Sequence, residues 1–184
     1  MDYKIIFPKD FIPENIQIKK RINVCKNSFN YPIKYLNNPL IIQTPILSLP
    51  FGKYSYGTKS YIDASFINES VDKDMAQFKK TIININKTII KYFSKNKKIK
   101  FIDSIKKSDS QYADRIRLNI TNEILVFDEH KHILDHEYLK TKSYVKFLVS
   151  PENVWKNEEK FGITWRILQA KVYQQTMLNK YSFI

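Results

Sequence analysis

The sequence predicts a mainly β chain, a small barrel or sandwich carrying one long amphipathic helix. Three observations predict it. Short β-branched and aromatic runs with period-two alternation recur on both sides of one helical stretch. Over residues 73–94 the apolar residues fall three or four apart, which is the helix period. No internal repeat or interdomain linker divides the 184 residues, a length that buries a core without staples.

Each element follows from its own pattern. Residues 1–38 read as an N-terminal extension with Pro8, Pro13 and Pro32, and a strand marked by Ile16, Ile18, Ile22 and Val24. LIIQTPILSL (40–49) is β-branched but holds Pro45, which cannot donate to a ladder; an edge strand or two strands joined at a bend are expected. PFGKYSYGTK holds two of only three glycines and reads as a hairpin loop. KSYIDASFI follows, with Ile62, Ala64 and Phe66 on one face and Tyr61, Asp63 and Ser65 on the other.

Ser70 and Asp72 offer N-caps to the helix. Its stripe is Met75, Phe78, Ile82, Ile85, Ile89 and Tyr92; Lys79, Lys80, Lys87 and Lys91 fill the outer face, and Lys95, Lys97 and Lys98 follow its end. Strands resume at KIKFI (98–102), and DSIKKSDSQ reads as a polar loop. DRIRLNI points Ile116, Leu118 and Ile120 one way and Arg115, Arg117 and Asn119 the other. EILVF is a short run, and Val145, Phe147 and Val149 then share a face opposite Lys142, Tyr144 and Lys146. After a loop carrying Pro151 and Trp155, FGITWRILQAKVY is a long terminal strand in which Trp165 is expected in the core.

Charge narrows the function. The net charge is +13, and a field of that sign attracts polyanions. Arg21, Arg115, Arg117 and Arg166 are the only arginines among 31 basic residues. Lys, Ile, Asn, Tyr and Phe all have A/T-rich codons, so an A/T-rich genome would inflate the lysine count without any binding role. That bias does not remove acidic residues, so the imbalance keeps part of its meaning. One cysteine, Cys25, fits a reducing compartment. MDYKIIFPKDF has no signal-peptide character, and no run nears the ~20 apolar residues of a membrane span. A soluble intracellular chain with no membrane partner is expected.

Binding nucleic acid needs cations for phosphates and flat rings for bases. Three places combine them: Lys53, Tyr54, Tyr56, Lys59 and Tyr61; then Arg115 and Arg117; then Lys142, Tyr144 and Lys146. Arg166, beside Trp165, joins them as a candidate contact. The bland alternative is ordinary sheet surface. His130, His132 and His136 cluster in DEHKHILDHE, but their spacing matches no standard metal site, and a polar hairpin tip accounts for them. There is no GxxxxGK[ST], GxGxxG or GxSxG motif, and the consecutive carboxylates Asp128/Glu129 and Glu158/Glu159 fall in expected turns. Neither catalysis nor a metal nor a cofactor is expected.

Two segments carry a family resemblance. LIIQTPILSLPFG resembles the opening strand of the phage T-seven-type single-stranded-DNA-binding proteins and their giant DNA virus relatives. VKFLVSPENVWKNEEKFGITWRILQAKVY is similar to that family's closing hairpin, through Gly162, Ile163, Thr164, Leu168, Gln169 and Lys171. The inserted helix is similar too, and the likeness spans roughly residues 36–174. It implies an OB-like five-stranded barrel with additional strands over 39–178, a C-terminal tail over 179–184, and a role coating single-stranded DNA in viral replication, repair or recombination. Replication proteins would be further partners, at a cytoplasmic replication site or in the nucleus, or packaged in the virion. The chain ends TMLNKYSFI with no acidic run, so docking by an acidic tail is not expected. RNA as the bound strand and a homodimer are both compatible with the sequence. The competing reading is a virion-associated scaffold working through protein–protein contacts.

Overall fold

In the computed structural model, residues 4–93, 99–109 and 111–173 are described. The expected lysines Lys95, Lys97 and Lys98 and the tail at 179–184 lie outside that range. In chain order the strands are β1 (Ile5–Ile6), β2 (Ile16–Ile18), β3 (Ile22–Cys25), β4 (Ser28–Tyr35), β5 (Ile41–Ser48), β6 (Lys53–Tyr56) and β7 (Lys59–Ser65). The helix α1 (Lys73–Phe93) follows. Then come β8 (Lys100–Ile102), β9 (Ile105–Lys106), β10 (Arg115–Ile120), β11 (Leu125–Phe127), β12 (Ile133–Leu134), β13 (Tyr144–Lys156) and β14 (Lys160–Tyr173).

Five strands pair in a ring. β5 lies antiparallel to β7, β7 to β10 and β5 to β13; β10 runs parallel to β14, and β13 and β14 form a long antiparallel ribbon that returns to the start. Two joins are thin, Ser48↔Ser65 and Asn119↔Arg166, each a single register pair. Alternation sends Leu47, Ile62, Ala64, Ile116, Leu118, Phe147 and Val149 inward, where all are fully buried. The N-terminal strands join this body: β1 pairs with β5, β4 pairs with β13, and Ile6, Ile33 and Tyr35 share the core.

Pro45 lies at a β-bulge, the bend expected there, though the strand does not divide in two. β5 is one continuous interior strand, and the missing donor is absorbed where its register against β13 slips between Lys146 and Leu148. The Phe147 amide, left without a ladder partner there, donates to Thr44 Oγ1 at 2.9 Å.

Asp72 caps α1, its carboxylate accepting from the amides of Asp74 and Met75 at 2.9 and 3.0 Å. Met75, Phe78, Ile82, Ile85 and Ile89 are buried as the stripe requires, whereas Tyr92 is 53% exposed and Phe93 packs on Phe161 instead. Lys79 does not face solvent. It is drawn in between Glu69 and Asp114, whose pairing outweighs the opposing effect of burial and raises its pKa. The expected polar loop after β8 holds the short strand β9 with Ile105 buried. A polar chain ties helix to sheet: Trp165 Nε1 donates to Ser104 Oγ (3.0 Å), Ser104 Oγ to Asn86 Oδ1 (2.9 Å), and Asn86 Nδ2 to Asp103 Oδ1 (2.9 Å). No helix among the described residues is long and apolar enough to cross a membrane.

Candidate nucleic-acid interface

The outer face of β7 and β10 carries the first two of the three sequence-level patches, fused into one. β6 folds over β7 through a two-residue loop opened by Gly57, whose positive φ of 58° suits glycine at that position. This register sets Tyr54 opposite Tyr61, their rings stacked at 5.9 Å and 30°. β10 sets Arg117 opposite Asp63 and Arg115 opposite Ser65. Arg117 grips the buried Asp63 carboxylate, Nε to Oδ1 at 3.0 Å and Nη2 to Oδ2 at 3.3 Å. Its guanidinium lies 5.6 and 5.8 Å from the ring centroids of Tyr54 and Tyr61, while that of Arg115 lies 5.0 Å from Phe51.

Asp63 also organises the electrostatics. The Tyr54 hydroxyl donates to Asp63 Oδ1 at 3.0 Å. Burial, and then this carboxylate, push the Tyr54 phenol up to about 12. The same carboxylate, by hydrogen bonding, raises Arg117 above its ordinary value. Two rings and two guanidiniums therefore sit side by side, held from beneath by one acid.

Beside this platform β10 and β14 diverge from their single point of contact, and a cleft of about 630 Å³ opens between them. Lys59, Tyr61, Arg117 and Asn119 form one wall, Asn153 and Trp155 the other, and Thr164 lies at the floor. The Trp155 indole lies across Gly162, where a Cβ would come within 2.7 Å of the ring. Two further depressions, of about 400 and 660 Å³, prolong the cleft: Lys59, Asn119 and Glu152 line the first and the second, Glu152 and Arg166 the second and the third. Together they form a groove across the outer side of the ring.

Among the sequence-level candidates, Lys59, Tyr61, Arg117 and Arg166 line this groove, and Tyr54 and Arg115 adjoin it. Lys53 and Tyr56 sit on the β6 hairpin, Tyr56 being 82% exposed. The third patch stands apart. Lys142 is in a turn with φ 67°, not on the strand. Tyr144 and Lys146 lie at the far end of β13, opposite Tyr173 and Lys171, with Lys146 and Lys171 over the Tyr173 ring at 6.0 and 5.4 Å. Seven residues separate Lys146 from Asn153, roughly 23 Å of strand. The expected loop around Pro151 and Trp155 is strand instead, since β13 continues to Lys156. Sequence reasoning therefore missed Glu152, Asn153 and Trp155. Trp165 is buried, as expected. His132 Nδ1 is 2.9 Å from Asp128 Oδ2, and His136 Nε2 is 2.9 Å from the Ile124 carbonyl. Among the described residues no group of three His, Cys, Asp or Glu side chains is placed to hold a metal.

The fold is that of the phage single-stranded-DNA-binding proteins, the class that the sequence resemblance implied. The C-terminally truncated single-stranded DNA-binding protein from bacteriophage Enc34 matches with a TM-score of 0.55 at 12% identity, covering 88% of this chain and 97% of that one. The Enc34 protein in complex with ssDNA matches with a TM-score of 0.52 at 12% identity, over 87% and 97%. The single-stranded DNA binding protein gp2.5 encoded by bacteriophage T7 matches with a TM-score of 0.52 at 8% identity, over 78% and 91%. No protein-family model and no curated protein matches the chain. At these identities the likeness is one of fold.

Proposed function

We propose that the chain binds single-stranded DNA along the groove, on an OB-type barrel formed by the ring β5–β7–β10–β14–β13, and serves viral DNA replication, repair or recombination. Residues 39–178 carry the binding module, and replication proteins are the further partners this role implies. The observation that carries the reading is the platform of Tyr54, Tyr61 and Arg117 opening directly into the cleft walled by Trp155. Rings beside cations suit bases and phosphates of an unpaired strand, and a duplex cannot offer its base faces to them. The Enc34 protein bound to ssDNA supports the same assignment.

Fluorescence anisotropy with a short oligonucleotide and its duplex, at two salt concentrations, tests this. A clear single-strand preference is expected, with log affinity falling linearly against log salt. Tyr61→Ala should weaken binding by about 1–3 kcal/mol with little change in salt slope. Lys59→Ala should lower the slope by about 0.7. Equal, weak binding of single strand and duplex would instead favour the scaffold reading.

A further inference from the structure

Two carboxylates on the outer face are paired with arginine, and the pairings differ in construction. Asp63 is buried and takes two hydrogen bonds from Arg117. Glu152 and Arg166 share a single contact, Nη1 to Oε1 at 3.1 Å, between side chains that are 45% and 34% exposed. Pairs of the second kind contribute little to stability and open easily.

Glu152 owes its position to a bulge. Pro151 pairs with Trp165 and Asn153 with Thr164, so Glu152 is the extra residue with no register partner on β14. A bulge re-aims the side chain it displaces. Here it sets a carboxylate where all three depressions meet. An acid is the wrong charge for the midpoint of a polyanion's path, unless something else takes its place there. Arg166 is equipped for that exchange, because it is 34% exposed and Glu152 engages it through Nη1 alone. A guanidinium presents its donors in a fork that suits two oxygens at once, and Glu152 meets it at one.

We propose that Arg166 is a phosphate site and that Glu152 is its resident stand-in, displaced when a strand enters the groove. This rests on the reading that the groove binds single-stranded DNA. Before binding, the carboxylate holds the arginine in place and cancels its charge. On binding, a backbone phosphate takes over the guanidinium and Glu152 swings to solvent. The acid thereby sets a threshold against weak anions, while a strand held at the platform and the cleft overcomes it.

The test titrates the full chain with a short oligodeoxythymidylate across a range of salt. Glu152→Gln is expected to bind about threefold to tenfold more tightly at low salt, since a like charge beside the strand is gone. It is also expected to steepen the slope of log affinity against log salt by about 0.7, because the phosphate on Arg166 then gives up its counterion with no freed carboxylate to recruit one. Glu152→Ala, which cannot hydrogen-bond to Arg166, should show the same gain. Arg166→Ala should cost more in the Glu152→Gln background than in the wild type, the non-additivity of a coupled pair. Glu152 variants that bind no tighter, with an unchanged slope, overturn the stand-in while leaving the groove reading intact. So does strict additivity of the two substitutions. A wild-type chain that does not bind the oligonucleotide overturns the groove reading itself, and the stand-in with it.

Discussion

Asp63 is a carboxylate on the face assigned to a polyanion, and its burial resolves the contradiction. With two arginines and a tyrosine hydroxyl above it, it orients the platform and is shielded from solvent. The hydroxyl of Tyr54 makes this arrangement visible to pH. Its folded pKa of about 12 exceeds the ordinary value of 10.0, so the folded state keeps a proton that the unfolded chain releases. The stabilising bond to Asp63 is then fully present below about pH 10 and is lost as pH rises toward 12. Urea unfolding of the wild type and Tyr54→Phe should show a stability difference that is constant at neutral pH and shrinks across that window. A difference that does not change with pH would mean that the Tyr54 hydroxyl titrates alike in the folded and unfolded chain. The alternation of KSYIDASFI already placed Asp63 beside Tyr61 on the outer face. Its partner Arg117 lies 54 residues away, and no local pattern carries that register.

Among the elements, α1 was the most legible, because it repeats one period over many residues, and β14 alternates from Phe161 to Ile167 before a bulge at Leu168 shifts its phase. β13 was the least. Its bulge at Glu152 breaks the alternation, so its second half looked like a loop around Pro151, and the cleft wall at Asn153 and Trp155 went unseen. The bend at Pro45 was legible but its means was not: the remedy for the missing donor is a slip against a partner strand about a hundred residues away. Gly162 shows how tightly the wall is built. A methyl group there would meet the Trp155 ring at 2.7 Å and the Ile102 carbonyl at 3.1 Å. Gly162→Ala should therefore destabilise the fold by about 1–3 kcal/mol in urea unfolding. It should also weaken oligonucleotide binding, since the displaced indole no longer faces the cleft. An unchanged midpoint together with unchanged affinity would mean that the indole has room to move.

For the molecule as a whole, composition and alternation indicated strands, one helix and a basic character, but not which strands meet. The three basic and aromatic patches looked alike along the chain, and only the ring separates them: two fuse on β6, β7 and β10, while the third lies at the far end of the β13–β14 ribbon. Ring closure also distributes stability unevenly. The β13–β14 ribbon pairs over most of its length, whereas Ser48↔Ser65 and Asn119↔Arg166 are single pairs. In native-state hydrogen exchange, amides flanking those two joins should exchange well before those of the ribbon. Uniform protection around the ring would contradict this picture.

The two tryptophans give the protein a pair of built-in optical probes. Trp155 is half-buried in the cleft wall, where a base can quench its emission, while Trp165 underlies the same cleft, almost fully buried and with its indole nitrogen bonded to Ser104. Quenching without a wavelength change would therefore register loading of an unlabelled sample, and a red shift would register loss of the core. A single emission spectrum keeps occupancy and integrity apart.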